Sequence, residues 1–186
     1  MLNRGIVSAR HVDHFGMTVP DLNEAIRFFE DAIGAKLLWR VGPFAETPTG
    51  FPIEGVILAM LRLGPNLNLE LQEFNAEKQR REMPSNVDLG SAHLAFFVDD
   101  INAAAQSLRE HGAQLLRGPI QASGEPKRGE LIWYFKTPWG AFMEILWRPE
   151  HLPYERDTPN RLFAPKSSGQ DGDWVQPDRS DSVQNV

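Results

Sequence analysis

The chain contains no cysteine among its 186 residues. Disulfide bonds, thiolate metal sites and cysteine nucleophiles are therefore excluded, and any metal ion would have to be held by His, Asp, Glu or water. No apolar run approaches the roughly 18 residues that a membrane-spanning helix needs, and residues 1–10 carry no apolar core of a signal peptide. The sequence predicts a cytoplasmic protein with no membrane partner.

Clustered positive charge is also lacking. The chain has 19 Lys and Arg against 25 Asp and Glu, which gives a formal net charge of −6, and the basic residues are scattered. Nucleic-acid binding needs clustered basic residues to neutralise phosphates, so we expect a small-molecule partner and no nucleic acid. A hydrophobic fraction of 41% with 24% charged residues is ordinary for a globular chain with a buried core.

The chain contains an internal repeat. Residues 13–38, DHFGMTVPDLNEAIRFFEDAIGAKLL, match residues 92–116, AHLAFFVDDINAAAQSLREHGAQLL, with a gap of one residue. Each copy starts with an alternating strand pattern and passes an Asp that can cap a helix. An apolar stripe at helical spacing then ends at a glycine. Three further strand patterns follow, separated by Gly and Pro.

The repeat predicts an α+β fold built from two tandem βαβββ modules. We place the first module at residues 1–74, a polar linker at 75–90, the second module at 91–148 and an irregular C-terminal tail at 149–186. A short docking segment around RLFAP is the less favoured alternative for part of this tail. The helix of each module covers one face of its sheet. The other face must therefore pack against another surface, most simply that of the second module.

Alternation along the strands decides which side chains share a face. The all-apolar rows fit beneath the helices, which leaves four metal-ligand types on the free faces: His14, Glu70, His93 and Glu144. A carboxylate in a strand such as FMEIL needs a cation or a proton. Two imidazoles and two carboxylates suit one divalent ion such as Zn, Ni, Co, Mn or Fe. The alternatives are a hydrogen-bonded core histidine at His93 and structural ion pairs between the carboxylates and an arginine such as Arg62 or Arg148.

The segments VDHFGMTVPDLNEAIRFFEDAIGA, SAHLAFFVDDINAAAQSLREHGA and TPWGAFMEI resemble the vicinal oxygen chelate superfamily. That superfamily includes glyoxalase I, methylmalonyl-CoA epimerase, fosfomycin and bleomycin resistance proteins and extradiol dioxygenases, and the resemblance covers about residues 10–148. It implies a U-shaped, barrel-like sheet around one metal ion, held by ligands from the first and fourth strands of each module. Those ligands would be His14, Glu70, His93 and Glu144. The resemblance also favours a homodimer, and the sequence leaves open whether the metal site closes within one chain, as the linker permits, or across two chains.

The same resemblance implies an isomerase, epimerase or lyase that stabilises an enediolate of a small oxygenated substrate on the metal. Glu144 is the first candidate for the catalytic base and Glu70 the second. An extradiol dioxygenase is the runner-up, because its triad of two His and one Glu would leave Glu70 without a role. A non-catalytic, resistance-type binding protein comes third, because such proteins lack a full ligand set.

Substrate contacts follow from the other side chains predicted on the free faces. No phosphate loop or basic cluster suggests a CoA or nucleotide site. A fairly apolar substrate pocket is predicted instead, although ordinary core packing is the alternative. Its candidate lining residues are Met60, Arg62, Phe97, Trp133 and Phe142. The remaining histidines, His11, His111 and His151, are not expected to bind the metal.

Overall fold

The structure is a computed structural model that describes residues 12–65 and 67–162. Its elements form two successive units of the predicted order. Unit one consists of β1 (His14–Thr18), α1 (Leu22–Asp31), β2 (Lys36–Phe44), β3 (Gly55–Leu63) and β4 (Leu67–Asn75). Unit two consists of β5 (Ala95–Phe97), α2 (Ile101–Glu110), β6 (Gln114–Leu115), β7 (Ile120–Gln121), β8 (Leu131–Lys136) and β9 (Phe142–Trp147).

Each unit forms its own mixed sheet. The strand order is β1-β4-β3-β2 in unit one and β5-β9-β8-β6 in unit two, with β7 also paired to β8. The first strand of each unit runs parallel to the last, and the other pairings are antiparallel. The α+β class and the duplicated order are thereby confirmed. Within the described residues the two sheets remain separate and do not close into a barrel.

Both helices begin at the predicted aspartates. The Asp21 carboxylate accepts from the Glu24 amide at 2.8 Å, and Asp100 accepts from the amides of Asn102 and Ala103. These bonds satisfy amides that have no partner within a helix. The first amide of α1 has a further partner, since Glu73 of β4 accepts from Leu22 N at 2.7 Å. Unit one therefore ties its helix directly to its last strand.

The core lies between the helices and the apolar faces of the sheets. Leu69, Leu71, Met143 and Phe29 are fully buried there, as the alternation of the strands predicts. Trp139, in the turn between β8 and β9, packs edge-on against Phe28 of α1, with ring centroids 5.5 Å apart. Its ring also lies beside Phe29. The two units consequently share one hydrophobic core.

Unit two departs from the simple repeat at two places. Its second strand is interrupted, forming the short pieces β6 and β7 on either side of the cis Gly118–Pro119 bond. His93, expected inside the first strand, precedes β5, although the ladder continues there through the bond from Glu144 N to Leu94 O. The repeat nevertheless keeps His93 beside β9, because the ladder fixes the register of this segment.

The described part of the C-terminal tail has some regular structure. Pro153–Arg156 forms a 3₁₀ helix, and Leu152 before it is buried. The Leu162 amide donates to the Tyr154 hydroxyl at 2.8 Å, whereas most of the predicted RLFAP segment lies outside the described residues. No helix in the described ranges is long and apolar enough to cross a membrane.

Candidate metal and substrate site

The first histidine–carboxylate pair lies on the free face of unit one. His14 stands at the start of β1, and Glu70 is on the neighbouring strand β4, with His14 Nε2 and Glu70 Oε2 3.9 Å apart. His14 Nδ1 lies 2.9 Å from an Asp13 carboxylate oxygen. A carboxylate at Nδ1 orients an imidazole and leaves Nε2 available, which is the arrangement around many metal-binding histidines. Glu70 also accepts a 2.5 Å hydrogen bond from Gln72 Nε2.

The second pair occupies the equivalent place in unit two. His93 Nε2 lies 3.0 Å from Glu144 Oε2, and the Glu144 side chain is only 7% exposed. Tyr134 stands directly opposite Glu144 on β8, and its ring meets the His93 ring edge-on at 5.4 Å. Burial, the negative charge of Glu144 and the hydrogen bond given to Glu144 together raise the pKa of Tyr134 above its usual 10.0. The tyrosine therefore stays neutral and acts as a donor.

A small residue accompanies each carboxylate on the neighbouring strand. Gly16 pairs with Glu70, and Ala95 pairs with Glu144. A Cβ at Gly16 would come within 3.9 Å of both the Glu70 carboxylate and the Gln72 amide. Both units therefore place a small residue opposite the carboxylate on the first strand.

Within the described residues of one copy, the four predicted donors do not form a single cluster, and their convergence on one ion stays a prediction. No group of three or more His, Asp or Glu side chains with metal-binding geometry occurs in the described part of the chain. Each pair belongs to a separate sheet of the chain. Each pair alone supplies two donors of suitable chemistry, half of the four that the sequence predicts for one divalent ion.

An apolar cavity of about 760 Å³ opens beside the first pair. Its walls include Phe44, Val56, Leu58 and Phe74, with residues 45–49 along one side, and Glu70 and Gln72 supply polar groups. A mostly apolar hollow with a few convergent polar groups is typical of small-molecule sites. A second cavity of about 650 Å³ lies where β1, residues 79–84 and Phe142 meet.

Four of the five predicted substrate contacts lie on the free faces. Met60 is opposite Glu70 in the sheet, and Phe97 is 55% exposed. The Phe142 ring is covered by Lys136, whose Nζ lies 4.9 Å from the ring centre. Arg62 is on the same face at the end of β3, where its guanidinium bonds to Asn68 Oδ1 and the Pro65 carbonyl. Their contact with substrate stays a prediction.

Trp133 is the fifth, and its expected place on the free face is wrong. It stands opposite Ile145, is 8% exposed and belongs to the core. Its Nε1 donates to the Leu116 carbonyl at 2.8 Å, and the Arg109 guanidinium of α2 covers its ring. The alternation along β8 makes Tyr134 the residue that faces the free side, a position that the short strand pattern LIWYFK left ambiguous.

The histidines that are not expected to bind the metal make other contacts. His111 Nδ1 lies 2.8 Å from the Ser107 carbonyl at the end of α2, and His151 lies 3.2 Å from a Glu155 carboxylate oxygen. His11 lies outside the described residues. Neither His111 nor His151 belongs to a group of three or more possible metal ligands in residues 12–65 and 67–162.

Comparison with known proteins identifies the class. Residues 13–129 match the Glyoxalase/Bleomycin resistance protein/Dioxygenase superfamily, and the chain belongs to this superfamily. The expectation drawn from the two repeated segments is thereby confirmed.

Individual relatives include named epimerases. The chain is 40% identical over 178 residues to the 2-epi-5-epi-valiolone epimerase of an Actinomyces species, covering 92% of this chain and 97% of that protein. It is 32% identical to the ethylmalonyl-CoA/methylmalonyl-CoA epimerase of Cereibacter sphaeroides, over 63% of this chain and 79% of that protein. These relatives support an enzyme of the epimerase and lyase kind.

Solved structures show the same fold. A glyoxalase family protein from Bacillus cereus superposes with a TM-score of 0.64 and 25% identity, covering 75% of this chain and 95% of that one. A glyoxalase I variant from Zea mays superposes with a TM-score of 0.56 over 75% of this chain and 45% of that chain. At 22% identity the maize structure bears on the fold alone.

Proposed function

We propose that this chain is a divalent-metal-dependent epimerase or isomerase that removes and returns a proton at a carbon beside a carbonyl. The observation that carries the proposal is the recurrence of one histidine–carboxylate pair on the free face of each unit. The epimerase names among its relatives point to the same class of reaction.

The donor chemistry fits a metal ion if the two pairs are brought together. His14, Glu70, His93 and Glu144 would hold it, with Asp13 orienting the first imidazole. A bound divalent ion would polarise a substrate carbonyl and favour its enediolate. Because the pairs lie on separate sheets, we propose that unit one of one chain faces unit two of a second copy in a homodimer.

Exposed apolar side chains on the free faces support this assembly. Trp39, Val41 and Phe44 of β2 pair with free-face positions of β3 and are 40–46% exposed, and Phe97 of unit two is 55% exposed. Such side chains lose contact with water when a second copy covers them. The same closure would exclude water from the carboxylates.

The proton would be handled by the two glutamates. Glu144 is the first proposed base, because its nearly complete burial shields it from water and His93 and Tyr134 fix its orientation. Glu70 is the second, since it lies at the apolar cavity that would receive the body of the substrate. A positioned carboxylate within hydrogen-bond reach of the acidic C–H bond is what this chemistry needs.

The substrate proposed first is the one named by the Actinomyces relative, 2-epi-5-epi-valiolone. Incubation in D₂O without oxygen should put solvent deuterium into this compound when metal is supplied. Oxygen consumption with a catechol and no deuterium uptake would instead support the dioxygenase. Metal analysis should find about one divalent ion for each four-ligand set, and its complete absence after purification without chelator would contradict the metal proposal.

Mixing two inactive variants tests the shared site. One variant carries His14→Ala with Glu70→Gln, and the other carries His93→Ala with Glu144→Gln. After exchange of subunits, each mixed dimer would hold one intact and one doubly damaged site, so about a quarter of wild-type activity should return. No recovery in samples shown to contain mixed dimers would contradict a site built from two copies.

A further inference from the structure

We infer that Asn68 is a positioning residue for His14, which it holds through the backbone of Asp13. This inference rests on the proposed function, in which His14 is a metal ligand. It adds a residue that sets the direction in which the imidazole presents Nε2 without giving an atom to the metal. Asn68 stands directly opposite His14 in the ladder between β4 and β1.

The His14 ring needs a support other than Glu70. The distance of 3.9 Å from His14 Nε2 to Glu70 Oε2 exceeds that of a hydrogen bond. The close partner is the Asp13 carboxylate, which lies 2.9 Å from Nδ1. Because an ionised carboxylate only accepts, the neutral ring carries its proton on Nδ1 and keeps on Nε2 the lone pair that a metal ion would use. The orientation of His14 therefore depends on where Asp13 is held.

Asn68 provides that hold. Asp13 precedes β1, the ladder begins only at His14, and the Asp13 side chain is 73% exposed. Asn68 Nδ2 donates to the Asp13 carbonyl at 2.8 Å. The ladder thus lacks a partner for this carbonyl, and the asparagine side chain supplies one.

Arg62 fixes the asparagine in turn. Its Nη1 donates to Asn68 Oδ1 at 3.2 Å, and the same guanidinium bonds to the Pro65 carbonyl. Because a carbonyl only accepts and a guanidinium only donates, the Asn68 amide has one possible orientation. Arg62 also pairs with Asn68 across β3 and β4, so the two half-buried side chains and His14 form one row across three strands. Neighbours in such a row restrict one another's movement.

Unit two has no equivalent of this arrangement. Phe142 lies two residues before Glu144, the place that Asn68 occupies in unit one, and its side chain has no hydrogen-bonding group. The residue before His93 is Ala92, which offers no carboxylate. His93 instead lies 3.0 Å from Glu144 itself. The positioning network is therefore a property of the unit whose histidine does not contact its glutamate.

The first readout is the tautomer of His14 in the metal-free protein. Two-bond ¹H–¹⁵N NMR spectra, recorded where the ring is neutral, distinguish a proton on Nδ1 from one on Nε2. The His14 signals are identified by their loss in His14→Gln. Wild type should hold the proton on Nδ1. Asn68→Leu, which has a similar size but no hydrogen-bonding group, should show a mixture of both forms, because Asp13 is released.

The second readout is the affinity for Co²⁺, titrated by absorbance. Asn68→Leu should weaken binding about tenfold, the lower end of the range for residues that orient a metal ligand. Asn68→Val, whose branched side chain suits a strand, should do the same even if the leucine variant folds poorly. Arg62→Met should have a smaller effect, since the bond from Asn68 to Asp13 remains.

The matched control is Asn23→Leu. It removes another arginine–asparagine hydrogen bond, from Arg40 Nη1 to Asn23 Oδ1 at 2.7 Å, on the surface of unit one. Both the tautomer and the Co²⁺ affinity should stay as in wild type, whereas a loss equal to that of Asn68→Leu would overturn the inference.

The inference is also overturned if wild type carries the proton on Nε2, or if both Asn68 variants keep the wild-type tautomer. A tautomer change without a change in Co²⁺ affinity would overturn the role of Asn68 toward the metal. Because the tautomer is measured without metal or turnover, it is independent of the proposed reaction. A wild-type protein that binds no Co²⁺ but shows the expected tautomers would overturn the proposed metal site alone.

Discussion

The two units share a fold and a histidine–carboxylate pair, but they surround the carboxylate differently. Glu144 of unit two is almost completely buried and contacts an imidazole at 3.0 Å and a tyrosine. Glu70 of unit one is 17% exposed, lies 3.9 Å from its histidine and borders a large cavity. The two units therefore keep a histidine and a carboxylate at matching places, whereas Glu144 is enclosed by other side chains and Glu70 borders a cavity.

Substitution of the two carboxylates should give the largest difference between the units. Glu144→Gln should lower kcat by about 10²–10⁴-fold, the range expected when a general base is removed, and Glu70→Gln should lower it less. Steady-state rates of deuterium incorporation measure both. His111→Ala, at the end of α2, is the control and should leave kcat unchanged. A greater loss in Glu70→Gln would reverse the order of the two bases.

Substitutions on the two faces of the unit-two sheet should change the free energy of unfolding by different amounts. Trp133→Ala removes a buried ring and should lower the free energy of unfolding by about 3–5 kcal/mol. Phe97→Ala, on the free side and 55% exposed, should change the stability of the isolated chain by about 0.5 kcal/mol or less. Urea unfolding of dilute protein checks both. Equal losses would place Phe97 in the core and contradict the observed division of faces.

The two helix caps offer a subtler comparison. Asp100→Ala should cost about 0.5–2 kcal/mol, because it leaves two amides of α2 without their acceptor. Asp21→Ala should lie near the lower end of about 0.5–2 kcal/mol, since Glu73 continues to cap the first amide of α1. Thermal unfolding gives both values, with the exposed Asp99→Ala as control. A larger loss for Asp21→Ala would show that Glu73 does not share the capping.

The smallest expected difference between the units is the raised pKa of Tyr134, which lies beside Glu144 in unit two. The absorbance titration of wild type minus that of Tyr134→Phe isolates this phenol from the other tyrosine, Tyr154. Its pKa should lie above 10.0. Because the folded chain then holds the proton more tightly than the unfolded chain does, this group favours unfolding only as pH rises above about 10. Glu144→Gln should lower the pKa without restoring it fully, since burial is the largest cause.

Much of this architecture is predictable from sequence because it depends on local rules. The repeat, the capping roles of Asp21 and Asp100 and the placement of His14 and Glu70 on one face all follow from periodicity and side-chain chemistry. Trp133 shows the limit, since six consecutive bulky or long residues, LIWYFK, fit either face equally well. Only the register with Ile145 decides that the tryptophan points inward.

The separation of the two histidine–carboxylate pairs on different sheets could not be predicted from the same rules. Alternation places a side chain on a face, but it says nothing about which second sheet that face will meet. Tyr134 escaped notice for a related reason. It contacts Glu144 across the ladder and belongs to no sequence motif.

The ring of Trp139 between Phe28 and Phe29 has a consequence for how copies of the chain can combine. Exchanging whole units between subunits would require pulling this ring out of α1 and exposing three aromatic surfaces to solvent on the way. That barrier keeps the two units of one chain packed against each other. In the proposed homodimer, a second copy would then associate through surface contacts, and each subunit would keep its own core intact.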